Sequence, residues 1–119
     1  MKMIVMFRRR PDLTAEQFRE HYETRHAPLA LRLFPYIEEY RRNYIRHDLA
    51  HRRAQPEGAP ATLDFDVITE IRFAGREDYD RMVRDMANPS IRDQVIEDER
   101  KFLDRTATVV FLVDEARSS

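Results

Sequence analysis

LTAEQFREHYETRHAP, residues 13–28, carries the pattern of a capped amphipathic helix. Thr14 stands as N-cap with Gln17 three residues on, a capping box. Leu13 and Phe18 take the two positions of a hydrophobic staple. Steps of four from Phe18 reach Tyr22 and then His26, about 80° of helical arc, so the three side chains form one stripe. That stripe turns an imidazole toward the interior. Pro28 disfavours helical geometry at Ala27, which predicts that the helix ends or bends just after His26.

The composition narrows what such a buried titratable group can serve. At 119 residues the length fits one domain, with an expected body over 1–113 and a polar tail over 114–119. Lys and Arg number 21 against 22 Asp and Glu, a formal charge of −1, so no net field draws the chain to nucleic acid or an anionic membrane. Cysteine is absent, which excludes disulfides, thiolate catalysis and Cys-ligated metal centres. The apolar run Met3 to Phe7 is too short for a signal segment and precedes Arg8-Arg9-Arg10, the reverse of the signal-peptide charge order. No membrane span is expected, and a cytoplasmic protein is the default.

Around the helix the periods change in a regular order. Met1 to Arg8 is apolar on both faces and reads as a central strand. Leu29 to Phe34 is apolar and fits either a last helical turn or a packed loop. Ile37 to Ile45 alternates as a polar edge strand, and 46–63, with His47, His51, Pro56, Gly58 and Pro60, reads as a long loop. Asp64 to Phe73 alternates again, with Phe65, Val67, Ile71 and Phe73 on one face. Gly75 to Leu103 reads as a helix broken at Asn88-Pro89 and restarted by Ser90 with Asp93. Thr106 to Val113 is apolar on both faces, a strand that must be covered twice. The order βαββαβ predicts an α+β, ferredoxin-like sandwich: one antiparallel four-stranded sheet with the helices on one face. The uncovered apolar face predicts a homodimer packed sheet to sheet.

Arg8-Arg9-Arg10-Pro11, then Leu13-Thr14, Glu16, Phe18, Tyr22 and His26-Ala27-Pro28-Leu29, resemble the opening of EthD-domain proteins, members of the dimeric α/β-barrel superfamily. Tyr40-Arg41-Arg42-Asn43-Tyr44, Asp66, Glu70, Phe73 and Phe102-Leu103-Asp104 look like the rest of that pattern. The resemblance covers nearly the whole chain and implies the pairing of two sandwiches into one barrel. It is a family linked to ethyl tert-butyl ether degradation beside a cytochrome P450 system, and similar proteins include methylmuconolactone isomerase. More distant barrels cyclise polyketides or act as cofactor-free oxygenases. The resemblance implies a pocket histidine at His26 and a pocket tyrosine at Tyr40. The isomerase also has a cysteine near its site, and this chain has none.

His26 and Tyr40 are therefore the expected catalytic pair, and no cofactor is expected. An imidazole takes and returns a proton near neutrality, as enolisation beside a carbonyl requires, and tyrosine hydroxyls donate to the developing oxyanion. The competing reading is a core histidine whose ring N–H caps a backbone carbonyl. Tyr22, Tyr44, Phe18, Asn43 and Asp66 are the expected substrate-binding residues. Asn43 points to the face opposite Tyr40 and shares a site with it only if the strand twists. Asp66 and Glu70 fit a carboxylate pair or, more simply, a charged ladder at the dimer seam. His47 and His51 have the i, i+4 spacing of two metal ligands but lack the Glu of H-E-x-x-H, and no metal is assigned. Arg41, Arg42, Arg46, Arg52 and Arg53 form a basic cluster able to steer an anionic substrate. Three functions remain open: a cofactor-independent isomerase, cyclase or lyase on a small oxygenated molecule such as a lactone, phenol or polyketide-like carbonyl compound; a non-catalytic carrier or accessory of an oxygenase; and a cofactor-free monooxygenase. In each the partner is a small hydrophobic or aromatic ligand.

Overall fold

The computed structural model describes residues 1–54 and 56–118. Residue 55 of the expected loop and residue 119 of the expected tail lie outside them. Four strands, β1 (Lys2–Phe7), β2 (Glu39–Tyr44), β3 (Val67–Arg72) and β4 (Val109–Val113), pair antiparallel in the order β2-β3-β1-β4. This is the α+β, four-stranded antiparallel architecture that the sequence predicts. β1 is central because both of its faces are apolar, and its buried residues leave only Met6 half-covered. β2 is polar and lies at an edge, where unpaired backbone meets water.

Pairing fixes which side chains share a face. Met3, Val5 and Phe7 stand opposite Ile71, Thr69 and Val67, and these opposite Tyr40, Arg42 and Tyr44. That inner face packs against helices α1 (Ala15–His21), α2 (Ala27–Leu33), α3 (Arg76–Ala87) and α4 (Pro89–Phe102), with Phe18, Tyr22, Ala27, Met82, Val95 and Phe102 completing the core. Each of the larger apolar side chains removed from water, such as Phe18, Met82, Val95 and Phe102, contributes about 1.5–3 kcal/mol.

Several expectations are corrected. The first helix does not end after His26: Tyr22–His26 forms a π turn, and the chain continues as α2 through Leu33, so Leu29 to Leu33 is helical. Ala27 N–H reaches back to the carbonyl of Tyr22, five residues earlier. Pro28, which has no N–H to give, falls in the first turn after this widening, where a missing donor costs least. The second break is capped two residues earlier than predicted, by Asn88, whose Oδ1 accepts from Ser90 N–H at 3.0 Å, with Pro89 opening α4. Strands β2, β3 and β4 start at Glu39, Val67 and Val109, two to three residues inside the predicted spans, because turns at either end take up the remainder.

β4 is not covered twice within one chain. Val110 is 55% exposed and Phe111 42%, on opposite faces of the strand. On the outer face Lys2, only 8% exposed, is held by Glu70 at 2.8 Å and by Glu115, which also accepts from Arg72 at 2.6 Å. Glu115 thus fastens the segment after β4 back across the sheet. Glu70 belongs to this ladder and also accepts from Asn43 Nδ2 at 3.0 Å. Among the described residues no helix is long and apolar enough to cross a membrane.

Candidate functional site

Between the inner face of the sheet and the helices lies a cavity of about 350 Å³, lined mostly by apolar side chains and reached by His26, Tyr22, Tyr40 and Thr69. Its size is at the lower end of the roughly 300–1,000 Å³ usual for small-molecule sites. The first helix positions two of these groups as its stripe predicted: Tyr22 is fully buried and His26 is 5% exposed. Burial of the stripe against Phe7 and Phe102 holds the imidazole ring, whose centroid lies 4.9 Å from that of Phe102.

His26 does not cap a carbonyl. Its Nδ1–H donates to Asp98 Oδ2 at 2.8 Å, and the other oxygen of the same carboxylate accepts from His21 Nε2–H at 3.0 Å. A carboxylate only accepts, so it sets the tautomer of each ring. His26 is left with the lone pair on Nε2, for which no hydrogen bond forms among the described residues, on a ring that lines the cavity. Burial pushes the His26 pKa below its usual 6.5, and the bond to Asp98 offsets only part of that. The ring is therefore a neutral base at neutral pH.

The π turn explains how one carboxylate serves two histidines. In a regular α-helix residues five apart face about 140° away from each other. The i→i+5 turn brings His21 and His26 to one side, toward Asp98 of α4. His21 stacks on Phe102 with ring centroids 4.7 Å apart.

Beside the base, whose ring centroid lies 5.6 Å from that of Tyr22, three hydroxyls form a chain. Tyr22 Oη lies 3.0 Å from Tyr40 Oη and 2.7 Å from Thr69 Oγ1. Two hydrogen bonds use two of the three protons, which leaves one to donate elsewhere. Desolvation pushes the Tyr22 pKa up to about 12 and that of Tyr40 well above 10, so both remain protonated donors. Tyr40 is also held from its ring face: the Arg42 guanidinium lies over it, 4.9 Å from its centroid, and forms a two-pronged pair with Glu23 of the π turn at 2.7 and 2.9 Å.

The remaining expected residues lie elsewhere. Phe18 is core behind Tyr22, and the Tyr44 hydroxyl donates to Glu23 Oε2 at 2.5 Å, so both support the wall without forming it. Asn43 faces the outer side of the sheet, because residues one apart in a strand point oppositely and β2 does not bulge there. Asp66 accepts Arg9 N–H at 2.8 Å and His47 Nε2–H at 3.1 Å, outside the cavity, and forms no acid–base pair with Glu70. His47 and His51 do not converge: the latter lies 3.3 Å from Leu49 O. Among the described residues no group of three or more metal-binding side chains forms. Of the basic cluster, Arg42 is spent on Glu23 and Arg46 on Asp48.

Asp98, His21 and Thr69 were not anticipated. Thr69 had a signal, as the polar member of an otherwise apolar strand face. Asp98 and His21 had none, since their meeting requires the π turn and the docking of α4.

Residues 10–106 match the family model described as the EthD domain. Among solved structures the fold is similar to that of an ethyl tert-butyl ether d (EthD) family protein from Bacillus halodurans, 21% identical over 97% of each chain with a TM-score of 0.61. It is also similar to a protein from Arabidopsis thaliana, 11% identical over 99% of this chain and 97% of that one with a TM-score of 0.61. HapK from Hahella chejuensis is 12% identical over 100% and 98%, with a TM-score of 0.57. At these identities the likeness is one of fold. No protein of curated function matches the sequence.

Proposed function

This chain belongs to the EthD domain family, and on that footing we propose that it is a cofactor-independent isomerase, cyclase or lyase acting on a small oxygenated molecule such as a lactone, a phenol or a polyketide-like carbonyl compound. The observation that carries this reading is the arrangement of His26: Nδ1 bound to Asp98, Nε2 unpartnered, ring on the cavity wall. Nε2 removes a proton from the carbon beside a carbonyl while Asp98 steadies the imidazolium that forms. A hydroxyl of the Tyr40–Tyr22–Thr69 chain donates to the oxygen on which charge collects. Return of the same proton from Nε2 to another carbon gives net isomerisation, and loss of a group from the adjacent carbon gives elimination.

Deuterium incorporation tests this without a known substrate. A panel of enolisable lactones and ketones is incubated with the protein in D₂O and followed by proton NMR. At least one compound is expected to exchange above the buffer rate, and His26→Gln to slow that exchange at least about a hundredfold. Compounds that bind yet never exchange would favour the carrier reading and defeat the catalytic one.

The proposal includes a homodimer. Phe111 and Val109 leave an apolar outer edge exposed beside buried Ile4, which supports a second copy covering the sheet. Light scattering after size exclusion is expected to give twice the 14.3 kDa chain mass; a monodisperse monomer at micromolar concentration refutes it.

A further inference from the structure

The charge of the cavity wall bears on what enters it, given the reading above that a guest is held there. Among the described residues no Lys or Arg lines the cavity, and apart from tyrosines its ionisable groups are His26 and Glu99. Two cations that touch lining residues are already engaged: Arg42, which lies over the Tyr40 ring, by Glu23, and Arg105, whose Nε donates to Glu99 Oε1 at 3.1 Å. Arg105 itself does not line the cavity. Glu99 thus stands in the cavity wall while its cation stays off it, and its charge acts on His26, which it favours in the protonated form. A second carboxylate, Asp98, lies directly behind His26. A carboxylate guest would lose its hydration, meet no cation and face two negative charges, whereas a neutral carbonyl or phenol needs only the hydroxyl donors and Nε2.

We infer that the cavity selects an uncharged guest, a ketone, phenol or lactone carrying no carboxylate, and that Glu99 is the residue that rejects acids. This narrows the substrate class and assigns a role to a residue outside the His26–Asp98 pair.

Two probes of matched size test it: 1-naphthol, uncharged at neutral pH, and 1-naphthoate. Three of the five methionines, Met3, Met82 and Met86, line the cavity, while Met6 points to the outer face of the sheet. Methyl-labelled methionine NMR therefore reports binding with an internal control. Expected is movement of the Met3, Met82 and Met86 signals with 1-naphthol while Met6 stays still, and affinity for 1-naphthoate at least about tenfold weaker. Glu99→Gln, checked for an unchanged unliganded spectrum, is expected to raise naphthoate affinity and leave that of naphthol as it was. Equal binding of the two probes by the native protein overturns charge selection. A gap unaltered in Glu99→Gln overturns the assignment to Glu99 while the guest site stands. If neither probe moves the three methyls, the guest site itself fails and the inference with it.

Discussion

The Asp98 carboxylate lies 2.8 Å from Nδ1 of His26 and leaves the opposite nitrogen of that cavity-lining ring with its lone pair free. The pair spans the junction of the π turn with α4, so the base is positioned by a residue 72 positions further along the chain. Asp98→Asn removes the acceptor charge that specifies this tautomer. Side-chain ¹⁵N shifts are expected to show His26 losing its single Nδ1–H form, and any catalysed exchange to fall at least about a hundredfold. An unchanged tautomer with unchanged exchange would mean that Asp98 is structural only.

Stability depends on pH through the same ring. Burial holds the native His26 pKa below 6.5, so between that native value and 6.5 the unfolded chain binds more protons than the folded one. Stability therefore rises with pH through this window and is lost as pH falls through it. Urea unfolding at steps across the window is expected to show this slope in the native protein and a shallower one in His26→Gln. Parallel slopes would show that His26 does not carry the dependence.

At lower pH the Glu23–Arg42 pair takes over. The Arg42 guanidinium, with help from the Tyr44 hydroxyl, holds the Glu23 carboxyl down at about 2 against an ordinary 4.5. Its contribution is present above 4.5 and is lost as pH falls from there toward 2. Glu23→Gln is expected to flatten the acid limb of the stability profile, and to cost at most about 1 kcal/mol at neutral pH because the pair is partly exposed. An acid limb as steep as that of the native protein would show that other carboxylates govern it.

Tyr22→Phe strands two hydroxyls, Tyr40 Oη and Thr69 Oγ1, each of which loses its partner. A loss of about 1–3 kcal/mol is expected in denaturant titration. Adding Thr69→Val, which removes one stranded group, is expected to give a double variant less destabilised than the sum of the singles. Strict additivity would argue against a coupled chain.

Phe102 is fully buried and its ring meets those of Phe7, Phe18, His21, Tyr22 and His26. Phe102→Ala is expected to cost about 3–5 kcal/mol. A loss below 1 kcal/mol by thermal and urea unfolding would mean that the cage closes up around the gap.

Much of the architecture was legible in the chain because it rests on local patterning. Thr14 and Gln17 announce the helix start by chemistry confined to four residues, and they form the expected box at 2.9 and 3.1 Å. The two-sided apolar character of Met1 to Phe7 marks a central strand, since only flanking strands and a packed layer relieve both faces. The stripe Phe18, Tyr22, His26 follows from helical period alone, and all three are buried.

What periodicity could not supply is the partner of that imidazole. A regular helix sends His21 and His26 in different directions, and the local rule for Pro28 argues for an end where the chain widens by one residue and continues. The amino-acid sequence by itself determined the strands, the capped helix and the inward histidine, because each depends on neighbours a few positions away. The tertiary structure alone decided that Asp98 grips that histidine, that Thr69 anchors the tyrosines and that Asn43 and Asp66 stand apart, because such contacts join residues brought together only by docking helix to sheet.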